Sequence, residues 1–338
     1  MGQGIAQMAA QAGAQVQVFD VANGAASKAC DSVRAQWQKM LDKERIDATQ
    51  FAALNQRLTM TEDLQQLAGN ELVIEAIVEN AGIKKNLFAD LEKILTADAI
   101  IATNTSSLSV TALAAGMQHP SRFAGLHFFN PVPLMKVVEV IPGLATADPV
   151  CQRLSAFVQA MGHQAVLAQD TPGFIVNHAG RGYGTEALRI ITEGVADFAT
   201  VDRILKDQVG FKLGPFELMD LTALDVSHPV MESIYHQYFE EPRYRPSVIT
   251  AQRLAGGWLG RKSGQGFYRY TDGKALLPDE PSVPSVAAPP PVWVSSRAAR
   301  RQDLFQLLKD LGAQIETGTA PSPQALCLVA QVVTSNPS

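Results

Sequence analysis

His127 and Glu139 are the two residues whose types and spacing most directly suggest chemistry. Each is the one polar residue in a short apolar run, Phe123 to Phe129 and Val137 to Ile141, and an Asn-Pro-Val-Pro turn separates the runs. Two strands joined by such a turn would bring the side chains together. A buried carboxylate needs a partner, and a carboxylate that holds one imidazole nitrogen leaves the other nitrogen available as a general base. The alternative is a structural core histidine beside an edge-strand glutamate.

Two further polar positions stand at junctions between predicted elements. Ser106 follows an apolar strand that ends in Asn104, and its hydroxyl could bind a substrate oxygen or merely cap the next helix. Asn177 follows Thr171 and Pro172, which predict the start of a long helix at Phe174. Its amide suits a carbonyl or a developing oxyanion.

The first twenty residues predict a helix followed by a strand that ends at Asp20. In a dinucleotide-binding unit, a strand and a Gly-x-Gly-x-x-Gly turn precede such a helix, and an acidic residue after the second strand holds the ribose. Gly2 can be only the last of those glycines. We therefore expect a fragment or a mis-assigned start, with the first strand absent and with weak folding and weak NADH binding as consequences. Asp20 favours NAD over NADP, because its carboxylate would repel a 2′-phosphate.

The remaining pattern predicts a doubly wound α/β half followed by a helical half. Residues 21–55 are polar and helical, and Lys43 there could meet phosphates or simply lie on a solvated face. Strands are predicted from Leu72 to Ala76 and before Asn104, each followed by a helix, and residues 151–168 add one more helix and strand. The predicted organisation is a Rossmann-like NAD-binding domain with its first strand missing (1–170), an all-helical domain (171–275), a proline-rich linker (276–291) and an incomplete further domain (292–338).

Composition narrows the class of protein. The chain has 338 residues, 46% hydrophobic and 18% charged, and a formal net charge of -5, with no dense basic face that would favour nucleic acid. Three cysteines are distant from one another and lack metal-ligand spacing, so we expect reduced thiols and no metal site. No apolar run is long enough to cross a membrane, and the cytoplasm is the expected location.

Five blocks occur in an order and spacing that resemble the L-3-hydroxyacyl-CoA dehydrogenases, particularly the bacterial 3-hydroxybutyryl-CoA dehydrogenase type associated with phenylacetate breakdown. The blocks are VIEAIVEN, TNTSSL, GLHFFNPVPLMKVVEVI, DTPGFIVN and GPFELMD. The similarity runs from Gly2 to about Tyr270. Within the blocks and their flanks, one departure is His178, where arginine is usual.

The resemblance implies NAD-dependent oxidation of (3S)-3-hydroxyacyl-CoA to 3-oxoacyl-CoA. It places four residues in the active site: Ser106, His127, Glu139 and Asn177. It places these residues around NAD: Gly2, Asp20, Ile77, Val78, Glu79, Lys84, Asn104, Ser106 and Asn130. It places these beside the acyl-CoA substrate: Lys43, Ser106, Asn130 and Asn177. It also implies a homodimer that forms through the helical domain.

Two other functions are compatible with the sequence. The same fold and the same histidine–glutamate pair could serve a dehydrogenase of a hydroxy acid that carries no CoA. The chain could also be a catalytically impaired NAD-binding or structural relative of such enzymes.

Overall fold

The computed structural model describes residues 1–280, 289–298 and 300–329. The chain divides into two compact units, Met1–Leu277 and Pro278–Ser338. Half of the predicted proline-rich linker, residues 281–288, lies outside the described residues. Among the described helices, none has both the length and the apolar character needed to cross a membrane.

The first half of the larger unit alternates strands and helices, as the sequence pattern predicts. The strands are β1 (Val16–Phe19), β2 (Leu58–Thr61), β3 (Leu72–Glu75), β4 (Ile100–Thr103), β5 (Phe123–Phe128), β6 (Val137–Pro142) and β7 (Gln164–Leu167). The helices are α1 (Gly2–Gln11), α2 (Ala25–Asp42), α3 (Ala48–Arg57), α4 (Ala81–Ile94), α5 (Val110–Ala114) and α6 (Asp148–Ala160). Strands β4 and β5 are buried along their whole length, which explains why their residues are almost continuously apolar.

The strands form a largely parallel sheet in the order β3-β4-β5-β6-β7, in which only the β5–β6 pair is antiparallel. Strands β1 and β2 form a separate parallel pair. Among the described residues, β1 pairs only with β2 and β3 pairs only with β4. Val16 of β1 and Ile74 of β3 nevertheless pack against the same apolar core. The predicted Rossmann-like architecture is confirmed, and the carboxyl ends of β3, β4 and β5 lie next to one another.

The second half of the larger unit is mainly helical. It contains α7 (Val176–Ala179), α8 (Arg181–Thr192), α9 (Phe198–Asp207), α10 (Pro215–Thr222), α11 (Leu224–Gln237) and α12 (Val248–Ala255). Two carboxylates buried in this half, Asp202 and Asp220, accept hydrogen bonds from backbone amides and from tyrosine hydroxyls. The half ends in a hairpin of β8 (Arg269–Thr271) and β9 (Lys274–Leu276), which the helical interpretation of the sequence missed.

One local prediction in this half is wrong. The sequence predicts a helix that begins at Phe174, but Gly173 and Phe174 both have positive φ angles, 79° and 49°. Helix α7 therefore begins only at Val176. The Phe174 side chain is buried in the core, and this packing holds a backbone conformation that a phenylalanine rarely adopts.

The smaller unit contains β10 (Val292–Val294), α13 (Arg301–Asp310), β11 (Ile315–Glu316) and β12 (Leu326–Leu328). Its parallel sheet has the order β11-β10-β12. The predicted strand at 292–294 and the predicted helix near 300–311 are confirmed. The predicted strand from Ala325 to Val333 is shorter, and its residues 330–333 lie outside the described part of the chain.

Candidate active site

His127 and Glu139 face each other across the antiparallel strands β5 and β6. Nδ1 of His127 lies 2.7 Å from Oε2 of Glu139, and the two residues are 3% and 0% exposed. The prediction that the glutamate finds its partner in this histidine is confirmed. The ring of His127 also contacts the rings of Phe129 and Phe174, with centroid distances of 4.5 and 5.7 Å.

The second oxygen of Glu139 is held by backbone rather than by a side chain. Oε1 accepts hydrogen bonds from the amides of Ile175 and Val176, at 2.8 and 2.9 Å. The left-handed turn at Gly173 and Phe174 aims these consecutive amides at the carboxylate. Burial alone would raise the pKa of Glu139, but the hydrogen bonds from His127, Val176 and Ile175 outweigh it and hold that pKa below its usual value. The carboxylate is therefore charged and can only accept, so Nδ1 of His127 donates to it, and Nε2 is the ring nitrogen that Glu139 does not bind.

Ser106 and Asn177 lie together beside this pair. The side-chain amide of Asn177 points to the backbone oxygen of Ser106, at 3.5 Å. Both residues are only partly buried, so their polar groups are accessible to a ligand. Asn177 belongs to the short helix α7, and Glu139 accepts from the amide of the first residue of α7, Val176, and from that of the preceding Ile175. Residues 175–177 therefore hold Glu139 and also carry the side-chain amide of Asn177.

Glu79 organises the loop that carries Ser106. Its Oε1 accepts hydrogen bonds from the Thr105 hydroxyl at 2.7 Å, from the Ser106 amide at 2.8 Å and from both the amide and the hydroxyl of Ser107. Burial opposes ionisation of Glu79, but these bonds and the nearby charge of Lys84 lower its pKa overall. The charged Glu79 thus fixes the loop between β4 and α5 by hydrogen bonds.

Lys84 is the buried cation that pairs with Glu79, and only 1% of its side chain is exposed. Its Nζ bonds Glu75 at 2.6 Å and Glu79 at 3.2 Å. Glu75 is also fully buried and accepts hydrogen bonds from the Thr103 hydroxyl and from the Ile77 amide, each at 2.6 Å. The sequence interpretation missed Glu75. Its signal was a carboxylate at the end of an apolar strand, nine residues before a lysine on the following helix.

Two asparagines frame the end of β5. Asn104 is buried, and its Oδ1 accepts a hydrogen bond from the Phe128 amide at 2.8 Å, which fixes the strand next to His127. Asn130 is exposed in the turn that follows the strand. Nε2 of the buried His163 lies 2.9 Å from the backbone oxygen of Val132, a contact that holds this turn.

The residues at the carboxyl edge of the sheet suit a dinucleotide. Asp20 is exposed after β1, and its Oδ1 accepts a hydrogen bond from the Ala22 amide. Helix α1 begins at Gly2, and no side chain among the described residues caps it. A helix N-terminus of this kind suits a phosphate. Ile77 and Val78, at the turn after β3, are 41% and 61% exposed and offer an apolar surface for an aromatic base. Lys43 lies apart from this edge, exposed at the end of α2.

The class of protein follows from comparison with known families. Residues 1–171 match the family model of the 3-hydroxyacyl-CoA dehydrogenase NAD binding domain, and residues 173–270 match that of the 3-hydroxyacyl-CoA dehydrogenase C-terminal domain. The chain belongs to the 3-hydroxyacyl-CoA dehydrogenase family, and its half with the parallel sheet is the NAD-binding domain of that family.

Individual relatives agree with this assignment. The chain is 42% identical over 268 residues to the 3-hydroxyadipyl-CoA dehydrogenase of Escherichia coli, an alignment that covers 79% of this chain and 56% of that protein. It is 37% identical to a probable 3-hydroxybutyryl-CoA dehydrogenase of Bacillus subtilis, over 80% of this chain and 94% of that protein. Among solved structures, the (S)-3-hydroxybutyryl-CoA dehydrogenase of Ralstonia eutropha superposes with a TM-score of 0.77 at 35% identity, covering 80% of this chain and 96% of that one.

Proposed function

We propose that this NAD-dependent 3-hydroxyacyl-CoA dehydrogenase oxidises the (3S)-hydroxyl of its substrate with His127 as the general base. The observation that carries the proposal is the fully bonded carboxylate of Glu139, which accepts from His127 and from two backbone amides. An imidazole held in this way presents its Nε2 electron pair in one fixed direction.

The residues of this chain move a proton and orient the substrate. Nε2 of His127 takes the proton from the substrate hydroxyl, and Glu139 stabilises the imidazolium that forms without taking the proton itself. Ser106 donates a hydrogen bond to the same substrate oxygen. Asn177 and Asn130 orient the acyl group, because an amide nitrogen can donate to a carbonyl oxygen.

The cofactor site lies along the carboxyl edge of the sheet. NAD bound there would accept the hydride that leaves the substrate carbon. Asp20 would hold the adenosine ribose, and Gly2 would allow the backbone at the start of α1 to approach the phosphates. The exposed Ile77 and Val78 would offer the dinucleotide an apolar surface. Glu79 lies in the turn after β3 and holds the loop that carries Ser106. Lys84 holds Glu79 by an ion pair, and Asn104 holds β5 by accepting a hydrogen bond from the Phe128 amide.

The acyl-CoA substrate would enter from the side of the α2–α3 hairpin, where the exposed Lys43 is available to a CoA phosphate. The relatives are named for 3-hydroxybutyryl-CoA and 3-hydroxyadipyl-CoA, so short acyl chains are the substrate class that we propose. Phenylacetate breakdown in the cytoplasm is the proposed setting.

A homodimer is the proposed assembly, with the contact through the helical half. Several large apolar side chains of that half are exposed and would be covered by a second copy. They are Ile204, Val209, Phe211, Leu218, Leu221 and Val226, with exposures between 39% and 59%. Light scattering coupled to gel filtration would give twice the mass of one chain if this is correct and the mass of one chain if it is not.

The experiment that tests the proposed reaction is a turnover assay with matched substrates. We expect NADH to form from (3S)-3-hydroxybutyryl-CoA and NAD, with far less product from the (3R) ester or from NADP. Free (3S)-3-hydroxybutyrate tests the alternative of a substrate without CoA. Faster oxidation of the free acid than of the CoA ester would contradict the proposal.

A further inference from the structure

Two consecutive residues at the carboxyl end of α11 contact the segments that carry Ser106 and Asn177. Gln237 is the last residue of the helix, and Tyr238 follows it directly. Both residues are partly buried. The proposed reaction uses Ser106 and Asn177, but it gives these two residues of the helix end no part.

Gln237 contacts the loop that carries Ser106. Its Nε2 donates a hydrogen bond to the backbone oxygen of Ser107 at 2.8 Å and another to the hydroxyl of Ser233 at 2.9 Å. A backbone oxygen can only accept, so the atom that faces Ser107 is the amide nitrogen. Glu79 holds the same loop from the NAD-binding domain. Gln237 therefore binds this loop a second time, from the helical half of the unit.

Tyr238 contacts the residue next to Asn177. Its hydroxyl oxygen lies 2.8 Å from Nδ1 of His178, and the hydroxyl oxygen of Tyr244 lies 3.3 Å from Nε2 of the same ring. The three rings also pack together, with centroid distances between 4.8 and 5.4 Å. His178 follows Asn177 in α7. Tyr238 therefore restrains the helical turn from which the side chain of Asn177 extends.

Helix α11 also packs directly against the turn before α7. Ile234, one helical turn before Tyr238, is fully buried. A Cβ atom at Gly173 would lie 2.9 Å from Cδ1 of Ile234, closer than van der Waals contact allows. The helix is therefore in close contact with the turn that precedes the amides bonded to Glu139.

We propose that Gln237 and Tyr238 are positioning residues that set the distance between Ser106 and Asn177. The inference rests on the proposed function, in which Ser106 and Asn177 hold the substrate. The side-chain nitrogen of Asn177 lies 3.5 Å from the backbone oxygen of Ser106, the outer limit of a hydrogen bond, so this contact alone fixes the distance poorly. Contacts from one helix end to both segments fix it more firmly. A displacement of about 1 Å in an orienting group can cost a large factor in rate.

The test removes each contact from the full chain with little change of shape, by Gln237→Met and by Tyr238→Phe. We expect kcat/KM for (3S)-3-hydroxybutyryl-CoA to fall by about fivefold to twentyfold in each variant, because each loses one hydrogen bond that fixes an orienting group. The matched control is Tyr235→Phe, which removes a hydroxyl of the same helix that makes neither contact, and it should behave like the parent. Unchanged kcat/KM in both test variants would overturn the inference.

Double variants show whether each residue acts through its neighbour. Addition of Tyr238→Phe to Asn177→Ala, or of Gln237→Met to Ser106→Ala, should cost less than about twofold, because the side chain that would be displaced is already gone. A loss of the same size in the parent and in the alanine background would overturn the inference, since it would assign the end of α11 a purely structural role.

Calorimetric binding of acetoacetyl-CoA, the product expected from 3-hydroxybutyryl-CoA, separates this inference from the proposed reaction. If the parent does not oxidise the hydroxyacyl ester, the proposed reaction fails. Weaker binding of acetoacetyl-CoA by Tyr238→Phe, with no further weakening in the Asn177→Ala background, would still support the inference in that case. Equal binding by the parent, Gln237→Met and Tyr238→Phe would then overturn it.

Discussion

Glu139 stands directly opposite His127 in the β5–β6 ladder, and both of its oxygens are bonded, one by the imidazole and one by two amides at the start of α7. This relationship couples the sheet to the helical half of the unit. His127, Glu139 and the backbone next to Asn177 are held by one connected set of hydrogen bonds.

Glu139→Gln should lower turnover, but by less than removal of His127, because the amide preserves shape and loses charge. A nearby negative charge stabilises the imidazolium. Its loss should therefore move the acid limb of the pH profile for oxidation to lower pH. A profile whose acid limb stays in place would refute the coupling between the two residues.

The same substitution makes a prediction about stability. The pKa of Glu139 in the folded protein is lowered from its ordinary 4.5. Its ionised form therefore stabilises the fold above that value, and the contribution is lost as the pH falls through the lowered pKa. The difference in free energy of unfolding between the parent and Glu139→Gln should be largest near neutral pH and shrink below pH 4.5. Urea titrations at several pH values measure it, and a difference that grows on acidification would contradict the assignment.

Asp20→Asn should relax the choice between cofactors. The amide keeps an oxygen for the Ala22 amide but removes the charge that repels a 2′-phosphate. Fluorescence titration should show weaker NADH binding and a smaller preference over NADPH, while Asp98→Ala at an exposed site serves as the control. An unchanged ratio of the two affinities would mean that Asp20 does not face the ribose.

Lys84→Met should destabilise the protein by about 3 to 5 kcal/mol, because Glu75 would remain buried without its counter-ion. The neighbouring Lys85→Met is the control, since Lys85 is exposed and its removal should change stability by less than about 0.5 kcal/mol. Urea unfolding of both variants makes the comparison. Equal stability of the two would show that the buried ion pair contributes nothing beyond packing.

The sequence predicts the pairing of His127 with Glu139, because each is the one polar residue in an apolar strand and a buried carboxylate needs a partner. It does not predict the amides that hold Glu139, because these depend on a left-handed Phe174 whose side chain is buried against His127. Tertiary packing decides that conformation, while local preference favours a helix. The sequence did not indicate Glu75 for a similar reason, since only the fold reveals which charged side chains are buried.

The turnover of His127→Gln with (3S)-3-hydroxybutyryl-CoA and NAD tests whether His127 is the general base. We expect kcat to fall by about two to four orders of magnitude, the usual contribution of a positioned base, with NADH affinity little changed. His236→Gln, at an exposed histidine of α11, should behave like the parent. Near-normal turnover by His127→Gln would contradict the account.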